Sequence, residues 1–368
     1  MLTSLIAFIV VIGVLVTIHE FGHYLAARSV GVQVEKFYIG FNLFGYGFKK
    51  VINGTEYGVG WLPLGGYVKL AGMLDESFDE KRTNDPGDFH LQPMWAKIWI
   101  MSAGVIMNFL LAVFIFSMMT FSRGELIGLS EKPIIGTILK HQIDINDKQI
   151  TTPAYESKLG SGDVIVEINN HKINAWKDIS DVLNEEENNS EYIIRFERNS
   201  VLDTITIKPR LMKIEFGKSA ILSKSIGIVP EVIYEKRNLL ESFSVGLDLT
   251  KNILVFMCKT IYGLITGEVS HKNLGGPLAI AQIAGDSARE GIYELFFLMA
   301  VLSVNLGLMN ILPIPGLDGG HVFITLIEGL LGRELSMGVK MRIQQLGIFM
   351  ILILFIIIMF NDISRLFS

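Results

Sequence analysis

The chain has 368 residues, of which 50% are hydrophobic and only 19% are charged, whereas a typical soluble protein is about a quarter charged. Its formal net charge of −5 gives no electrostatic support for nucleic-acid binding. The single cysteine, Cys258, excludes a disulfide framework and any metal site built from several cysteines. The composition therefore indicates an integral membrane protein in which His, Asp or Glu would hold any metal.

Four segments predict membrane-spanning helices, because a bilayer core takes about 20 apolar residues as helix. The first segment lacks the basic start and the small-residue cleavage site of a signal peptide, so we expect an uncleaved span. The fold class is therefore a polytopic α-helical membrane protein, with spans 1 and 2 in region 1–124 and spans 3 and 4 in region 268–368. The four spans are predicted at roughly 2–27, 98–121, 292–312 and 346–360.

The stretch YGVGWLPLGGYVKLAGM, residues 57–73, alternates apolar and polar residues between glycines. This pattern predicts a β-hairpin in the basic loop 28–97. The unpaired edge of such a hairpin suits an extended substrate, so Gly65, Gly66 and Tyr67 are candidate substrate-binding residues. The alternative is a structural hairpin that covers a cavity.

The region 125–241 carries alternating patterns such as DVIVEIN and EYIIRFER, which predict an inserted α+β domain. The segment 242–267 has apolar residues at helical spacing with three interleaved charges. It is interpreted as an interfacial amphipathic helix, and a fifth span is the alternative.

Lysine and arginine in short loops predict the orientation of the spans. The loop 28–97 and the loop between spans 3 and 4 are basic, whereas the N-terminus has no Lys or Arg and the C-terminal tail has only Arg365. We therefore expect both basic loops in the cytoplasm. Both termini and the domain 125–241 would lie on the extracytoplasmic side.

The first predicted span contains the unusual polar motif TIHEFGHYLA, residues 17–26. His19 and His23 are four apart, so both imidazoles lie on one helix face and can share one zinc ion. In H-E-x-x-H enzymes the glutamate, here Glu20, is the general base. Ionisable groups are costly in hydrocarbon and face a cavity or each other. The alternative is a pair of core or pH-sensing histidines.

A catalytic zinc usually has three protein ligands and a water. The segment NILPIPGLDGGH, residues 310–321, ends the third span at the same predicted depth as the two histidines. Asp318 is the predicted third ligand and His321 the fallback, while Asn310 is a candidate for binding substrate backbone or the developing oxyanion. Prolines and glycines here predict irregular backbone that lines a cavity. An ordinary surface turn is the alternative.

HEFGH at 19–23 and N-x-x-P-x-P-x-L-D-G at 310–319 together resemble the site-2 protease family of intramembrane zinc metalloproteases. The order of the elements is similar to its bacterial sigma-E-protease branch. The resemblance implies one zinc per chain on His19, His23 and Asp318, with Glu20 catalytic and Asn310 handling substrate. It further implies location in the bacterial inner membrane, with single-span substrates such as anti-sigma factors or remnant signal peptides.

Residues 153–183 resemble a PDZ domain, in which a Gly-Asp turn precedes a strand and a short helix. The resemblance implies one PDZ module that binds an extended peptide or protein; a folded spacer or size filter is the alternative. Two other functional classes stay open from the residues alone. One is a membrane metal transporter or sensor, and the other is a scaffold that uses the PDZ-like domain.

Overall fold

The computed structural model describes residues 2–42, 47–73, 85–144, 148–185, 191–216, 219–270 and 274–367. It divides into two compact units. One comprises Met1–Ser122 and Arg237–Ser368, and the other comprises Arg123–Lys236.

The first unit is a helical bundle with a small sheet. Four of its helices are long and apolar enough to cross a membrane, as predicted, although the fourth is about twice the length of its predicted apolar core. The helices are α1 (Leu2–Ser29), α2 (Met94–Arg123), α5 (Leu239–Thr266), α6 (Pro277–Glu290), α7 (Ile292–Ile311), α8 (Asp318–Leu331) and α9 (Met337–Phe367), with α3 and α4 in the second unit.

The core of the bundle lies between α1, α2 and α7. Val11 and Leu15 of α1 pack with Phe116 of α2 and Val304 of α7 in one fully buried cluster. Many other large apolar side chains of these helices face outward, as expected for helices whose surroundings are lipid. The bundle therefore has a narrow packed interior and an apolar exterior.

The loop between α1 and α2 forms a four-stranded sheet, and the predicted hairpin over 57–73 is wrong. The strands β3 and β4 follow each other in sequence but do not pair, because β1 lies between them, parallel to β3 and antiparallel to β4. The edge strand β4 carries Gly65, Gly66 and Tyr67 and packs against α1. The strands are β1 (Val34–Phe41), β2 (Gly47–Ile52), β3 (Thr55–Gly60) and β4 (Leu62–Leu70), in the order β2-β3-β1-β4.

The chain reverses sharply between α7 and α8, as the prolines and glycines predict. Gly316 has a φ of +94°, a conformation that favours glycine. A Cβ on Gly319 would collide with the carbonyls that end α7, and a Cβ on Gly320 would collide with the carbonyl of Ile314. The reversal places Asp318 at the first position of α8.

Helix α5 packs through small residues. Ser242, Gly246 and Thr250, spaced four apart, are buried, and a Cβ on Gly246 would lie 2.8 Å from the carbonyl of Val113 in α2. Small residues at this spacing let membrane helices approach closely. Within the predicted apolar stripe, Ile253 packs against the core of the bundle, whereas Phe256 is 69% exposed, so the bundle covers only part of the stripe.

The second unit is an α+β fold with a four-stranded sheet, in the order β10-β9-β11-β12, and the further strand pairs β13-β14, β15-β6, β16-β5 and β7-β8. Buried Asp163 is the aspartate of the predicted Gly-Asp turn and forms a two-pronged ion pair with Arg198, at 2.6 and 2.7 Å. The elements are β5 (Glu125–Leu129), β6 (Ile135–Ile138), β7 (His141–Ile143), β8 (Gln149–Thr151), α3 (Pro153–Glu156), β9 (Val164–Ile168), β10 (His171–Lys172), α4 (Trp176–Glu185), β11 (Tyr192–Arg198), β12 (Val201–Ile207), β13 (Arg210–Phe216), β14 (Ser219–Ser225), β15 (Ile228–Pro230) and β16 (Val232–Glu235).

The N-terminus of α6 is capped from α9. The N-cap of α6, Gly276, has no side chain, and the buried carboxylate of Asp362 accepts the backbone N–H groups of Gly276, Leu278 and Ala279 at 2.9, 3.0 and 3.2 Å. A carboxylate here satisfies amides that have no partner within the helix and complements the helix dipole. The cap therefore ties the last predicted span to α6.

We expect Asp362→Ala to lower the free energy of unfolding by about 1–2 kcal/mol, the usual cost of a lost N-cap. Thermal unfolding in detergent and hydrogen exchange of the amides of Gly276, Leu278 and Ala279 measure the effect. Asp362→Asn keeps one acceptor oxygen and should lose less. Asp286→Ala, at an exposed position of α6, is the control. Equal stability of Asp362→Ala and Asp286→Ala would contradict the capping role.

Candidate metal centre

Three predicted ligands from α1 and α8 converge on one buried point. The Nε2 atoms of His19 and His23 are 3.2 Å apart. The Oδ2 atom of Asp318 lies 3.1 Å from Nε2 of His19 and 3.3 Å from Nε2 of His23. Both histidines are buried, because one turn of α1 directs both rings into the bundle. Among the described residues, this is the group of His, Cys, Asp or Glu that suits a metal.

The chemistry of these three atoms fits a cation. Nδ1 of His23 lies 2.8 Å from the carbonyl of Ile100, so that nitrogen carries the proton and Nε2 presents a lone pair. Oδ2 of Asp318 is buried and has no hydrogen-bond donor in the described structure. Electron-pair donors this close repel one another unless a cation lies between them. The donor set, two imidazoles and one carboxylate, is one that zinc accepts.

The surroundings of Asp318 favour the ionised form of its carboxyl group. Burial opposes its ionisation, but the two neighbouring histidines favour the carboxylate more strongly, so the pKa of Asp318 lies well below its usual range. The carboxylate also occupies the first turn of α8, where the helix dipole favours negative charge. Asp318 is therefore ionised at neutral pH.

Helix α2 has room for the two imidazoles because it carries a glycine opposite them. A Cβ on Gly104 would lie 2.7 Å from Cε1 of His19 and closer still to Nε2 of His23. Real Cβ atoms essentially never approach other atoms this closely. Gly104 is therefore part of the site, although the sequence reasoning did not single it out.

Glu20 faces the same cavity as the three ligands and touches the edge strand of the sheet. The backbone of Val68 in β4 lies close to its carboxylate. A Cβ on Gly66 would lie 3.5 Å from Cγ of Glu20, so the strand runs close against this side chain. The cavity has a volume of about 500 Å³, and its lining includes the three ligands, Glu20, Gly66 and Tyr67.

Of the other predicted site residues, Gly66, Tyr67 and His321 line this cavity, whereas Asn310 and Gly65 are outside its lining. The amide nitrogen of Asn310 is 3.2 Å from Nε2 of His19, so it can contact a ligand held at the centre. Tyr67 stacks on Tyr38 with the ring planes 3° apart. Gly65 lies in β4 with a φ of +138°. His321, the fallback ligand, lines the cavity but is outside the converging trio, and burial lowers its pKa, so the ring is neutral.

One further polar residue of the site was missed. Asn108 of α2 is fully buried, with its amide nitrogen 3.0 Å from Nδ1 of His19. The available signal was a lone amide side chain inside an uncharged span, since polar residues at membrane depth are usually functional.

A buried metal site with an adjacent carboxylate is the geometry that a metalloprotease uses. Here it lies in a bundle of candidate membrane spans, so the chain is a membrane-embedded metalloprotease.

Comparison with known proteins supports this class. Residues 7–354 match the family model described as peptidase family M50. The chain belongs to this family, the site-2 proteases, and is an intramembrane zinc protease, which confirms the predicted enzyme class and cofactor.

Individual relatives match over nearly the whole chain. A Rickettsia conorii protein named as a zinc metalloprotease is 35% identical over 99% of both chains. A Campylobacter jejuni protein with the same kind of name is 34% identical over 98% of this chain and 93% of its own. The regulator of sigma-W protease RasP of Bacillus subtilis is 28% identical over 99% of both chains.

We expect Gly104→Ala to weaken zinc binding at least about tenfold, a magnitude typical of disturbed ligand orientation, because the methyl group displaces both imidazoles. Competition with a chromophoric chelator measures the dissociation constant. Gly13→Ala, in α1, is the matched control, because a Cβ there meets no atom within 4 Å. Unchanged affinity in Gly104→Ala would show that the two rings do not depend on this glycine.

Proposed function

We propose that the protease cleaves single-span membrane proteins within or near their spans, with His19, His23 and Asp318 holding one zinc ion and Glu20 acting as general base. The observation that carries this proposal is the convergence of three buried electron-pair donors in the cavity that also contains Glu20. The metal transporter and scaffold alternatives have no need for a carboxylate placed beside a single compact centre.

The roles of the side chains follow from their positions. Zinc, when bound, lowers the pKa of a water ligand and polarises the scissile carbonyl. Glu20 takes a proton from the attacking water and delivers it to the leaving amine nitrogen. The backbone of Val68 in β4 lies beside the carboxylate of Glu20. Asn310, whose amide lies beside His19, donates a hydrogen bond to the oxygen on which negative charge develops.

The edge strand β4 is the proposed docking surface for unwound substrate. Its inner side pairs with β1, and no described strand pairs with its outer side. Such an edge binds an extended peptide by adding it as a further strand. Gly66 and Tyr67 line the cavity and Gly65 precedes them in the strand, so a substrate strand on β4 passes close to Glu20 and the three ligands.

The proposed orientation places the centre towards the cytoplasmic side of a bacterial inner membrane. The predicted loop 28–97 and the predicted loop between spans 3 and 4, which holds Arg333, Lys340 and Arg342, support this orientation, since Lys and Arg accumulate on the cytoplasmic side. Both termini and the inserted unit then lie outside. Asp248 and Lys251 of α5 are exposed, which supports a position of the amphipathic helix 242–267 at the membrane surface.

Anti-sigma factors and remnant signal peptides are the proposed substrate classes. The name of RasP, a regulator of sigma-W protease, supports regulated proteolysis of the first class. The unit 125–241 is proposed as one PDZ-like module, supported by its Gly-Asp turn before β9 and the helix α4. It would take an extended peptide or act as a size filter.

The test compares zinc content and cleavage of a single-span substrate in detergent for purified wild type, Glu20→Gln and Asp318→Ala. Glu20→Gln should bind one zinc per chain and cleave about 10²–10⁴-fold more slowly, as for a lost general base. Asp318→Ala should lose both zinc and activity. The control His321→Gln should retain zinc.

Two outcomes would contradict the assigned roles. Wild-type cleavage rates in Glu20→Gln would exclude this residue as the base. Loss of zinc in His321→Gln with zinc retained in Asp318→Ala would make His321 the third ligand.

The substrate span must unwind before it pairs with β4, so helix-weakening changes in the substrate should speed cleavage. Replacing one alanine next to the scissile bond by glycine weakens a helix by about 1 kcal/mol, which predicts about fivefold faster cleavage where unwinding precedes the chemical step. The same replacement at the far end of the span is the control. Equal rates for both substrates would argue against unwinding as a prerequisite.

A further inference from the structure

Asn108 lies at the centre of α2 with one half of its amide unsatisfied. The side chain is fully buried, and its Nδ2 atom is 3.0 Å from Nδ1 of His19. Its Oδ1 atom is also buried but has no partner in the described part of the chain. A buried polar atom without a partner costs about 1–3 kcal/mol, so this arrangement needs an explanation.

The chemistry of His19 supplies the explanation. Nε2 of His19 faces the other two ligands, so metal binding leaves this nitrogen unprotonated and places the ring proton on Nδ1. An amide N–H pointing at that proton would bring two donors together. Exchanging the amide oxygen and nitrogen by a half-turn leaves the shape unchanged. It turns Oδ1 towards the N–H of His19 and gives the unpartnered oxygen a donor.

We propose that Asn108 is a positioning residue that accepts the Nδ1–H of His19 through Oδ1 and so directs Nε2 of His19 at the zinc ion. Histidine ligands usually donate their second N–H to such an acceptor, which fixes the tautomer and the ring orientation. The inference rests on the proposed role of His19 as a metal ligand.

Helix α2 also provides a hydrogen-bond acceptor for the second histidine, His23. Nδ1 of His23 lies 2.8 Å from the carbonyl of Ile100, two turns before Asn108 in α2. One neighbouring helix therefore provides an acceptor for each ring, a backbone carbonyl for His23 and a side-chain amide for His19. Only the second acceptor can be removed by substitution.

Asn108 is itself held at a fixed depth in the bundle. Its backbone carbonyl accepts the hydroxyl proton of Ser303 in α7, at 2.7 Å. Both residues are fully buried, and α7 also carries Asn310 next to His19. The position of the acceptor is therefore set by two helices, and the ring of His19 is oriented without a mobile partner.

The experiment measures metal affinity in purified full-length protein after removal of metal by chelation. Zinc is titrated in competition with a chromophoric chelator, and cobalt is titrated by its visible absorption, which reports ligand geometry. Asn108→Leu keeps the approximate shape without an acceptor, and should raise the zinc dissociation constant about 10–100-fold. Asn108→Asp keeps the acceptor and should stay within about threefold of wild type.

Two controls distinguish the role of Asn108 from a general packing effect in α2 and from a failure of the proposed metal centre. Thr120→Val removes another buried polar group of α2, and should leave zinc affinity and the cobalt spectrum unchanged. His19→Ala should lose the metal. Metal retained in His19→Ala would refute the proposed centre, whereas metal lost in His19→Ala with Asn108→Leu at wild-type affinity would refute only the role of Asn108.

The two Asn108 variants also decide which amide atom faces the ring. Affinity as poor in Asn108→Asp as in Asn108→Leu, with both variants folded by thermal unfolding, would overturn the assignment of Oδ1 as the acceptor. Rescue by aspartate with an unchanged cobalt spectrum would establish it. If Asn108→Asp does not fold, Asn108→Ser, which retains a smaller acceptor, should bind zinc more tightly than Asn108→Leu; equal affinity would overturn the proposal.

Discussion

The close approach of α1 and α2 is the contact on which the metal centre depends. A Cβ on Gly22 would lie 2.5 Å from the carbonyl oxygen of Ala103, and a Cβ on Gly104 would enter the space of both histidine rings. Small residues permit such contact between membrane helices. With the helices this close, the second nitrogen of each imidazole reaches an acceptor on α2, and the remaining nitrogen of each ring faces the cavity. Moving the helices apart by the width of one methyl group would separate the ligands from the atoms that orient them.

The carboxylate ligand reaches this helix pair through a different constraint. Asp318 lies almost 300 residues after His19, and it arrives because the chain reverses within a few residues at the end of α7. Gly319 and Gly320 let the reversal fold tightly onto the end of α7. The same reversal makes Asp318 the first residue of α8, where its charge is favoured by the helix dipole. The reversal therefore sets the position of the proposed third ligand and adds to the effect of the two histidines on its charge.

Local patterns in the sequence were sufficient to predict the spans, the spacing of His19 and His23, and the irregular segment that carries Asp318, because each depends on composition or periodicity within one segment. The pairing of β1 with β4 could not be predicted, since it joins strands that are distant in sequence, and adjacency suggested a hairpin instead. The preference for Asp318 over His321 rested on a motif, whereas its geometric basis, the orientation of α8, is tertiary. Asn108 and Gly104 were visible as residue types, but their importance follows only from which face of α2 meets α1.

The edge of the sheet and an unwound substrate both have backbone groups that can form hydrogen bonds with each other. A strand edge has backbone groups that can pair with a further strand, and an unwound substrate span has backbone groups that lipid cannot satisfy. In this structure β1 satisfies the inner side of β4. Pairing of the substrate with the outer side of β4 would satisfy both remaining sets of groups at once. In the proposed function, the free energy needed to unwind the substrate is offset where the scissile bond is held, beside Glu20 and the three proposed metal ligands.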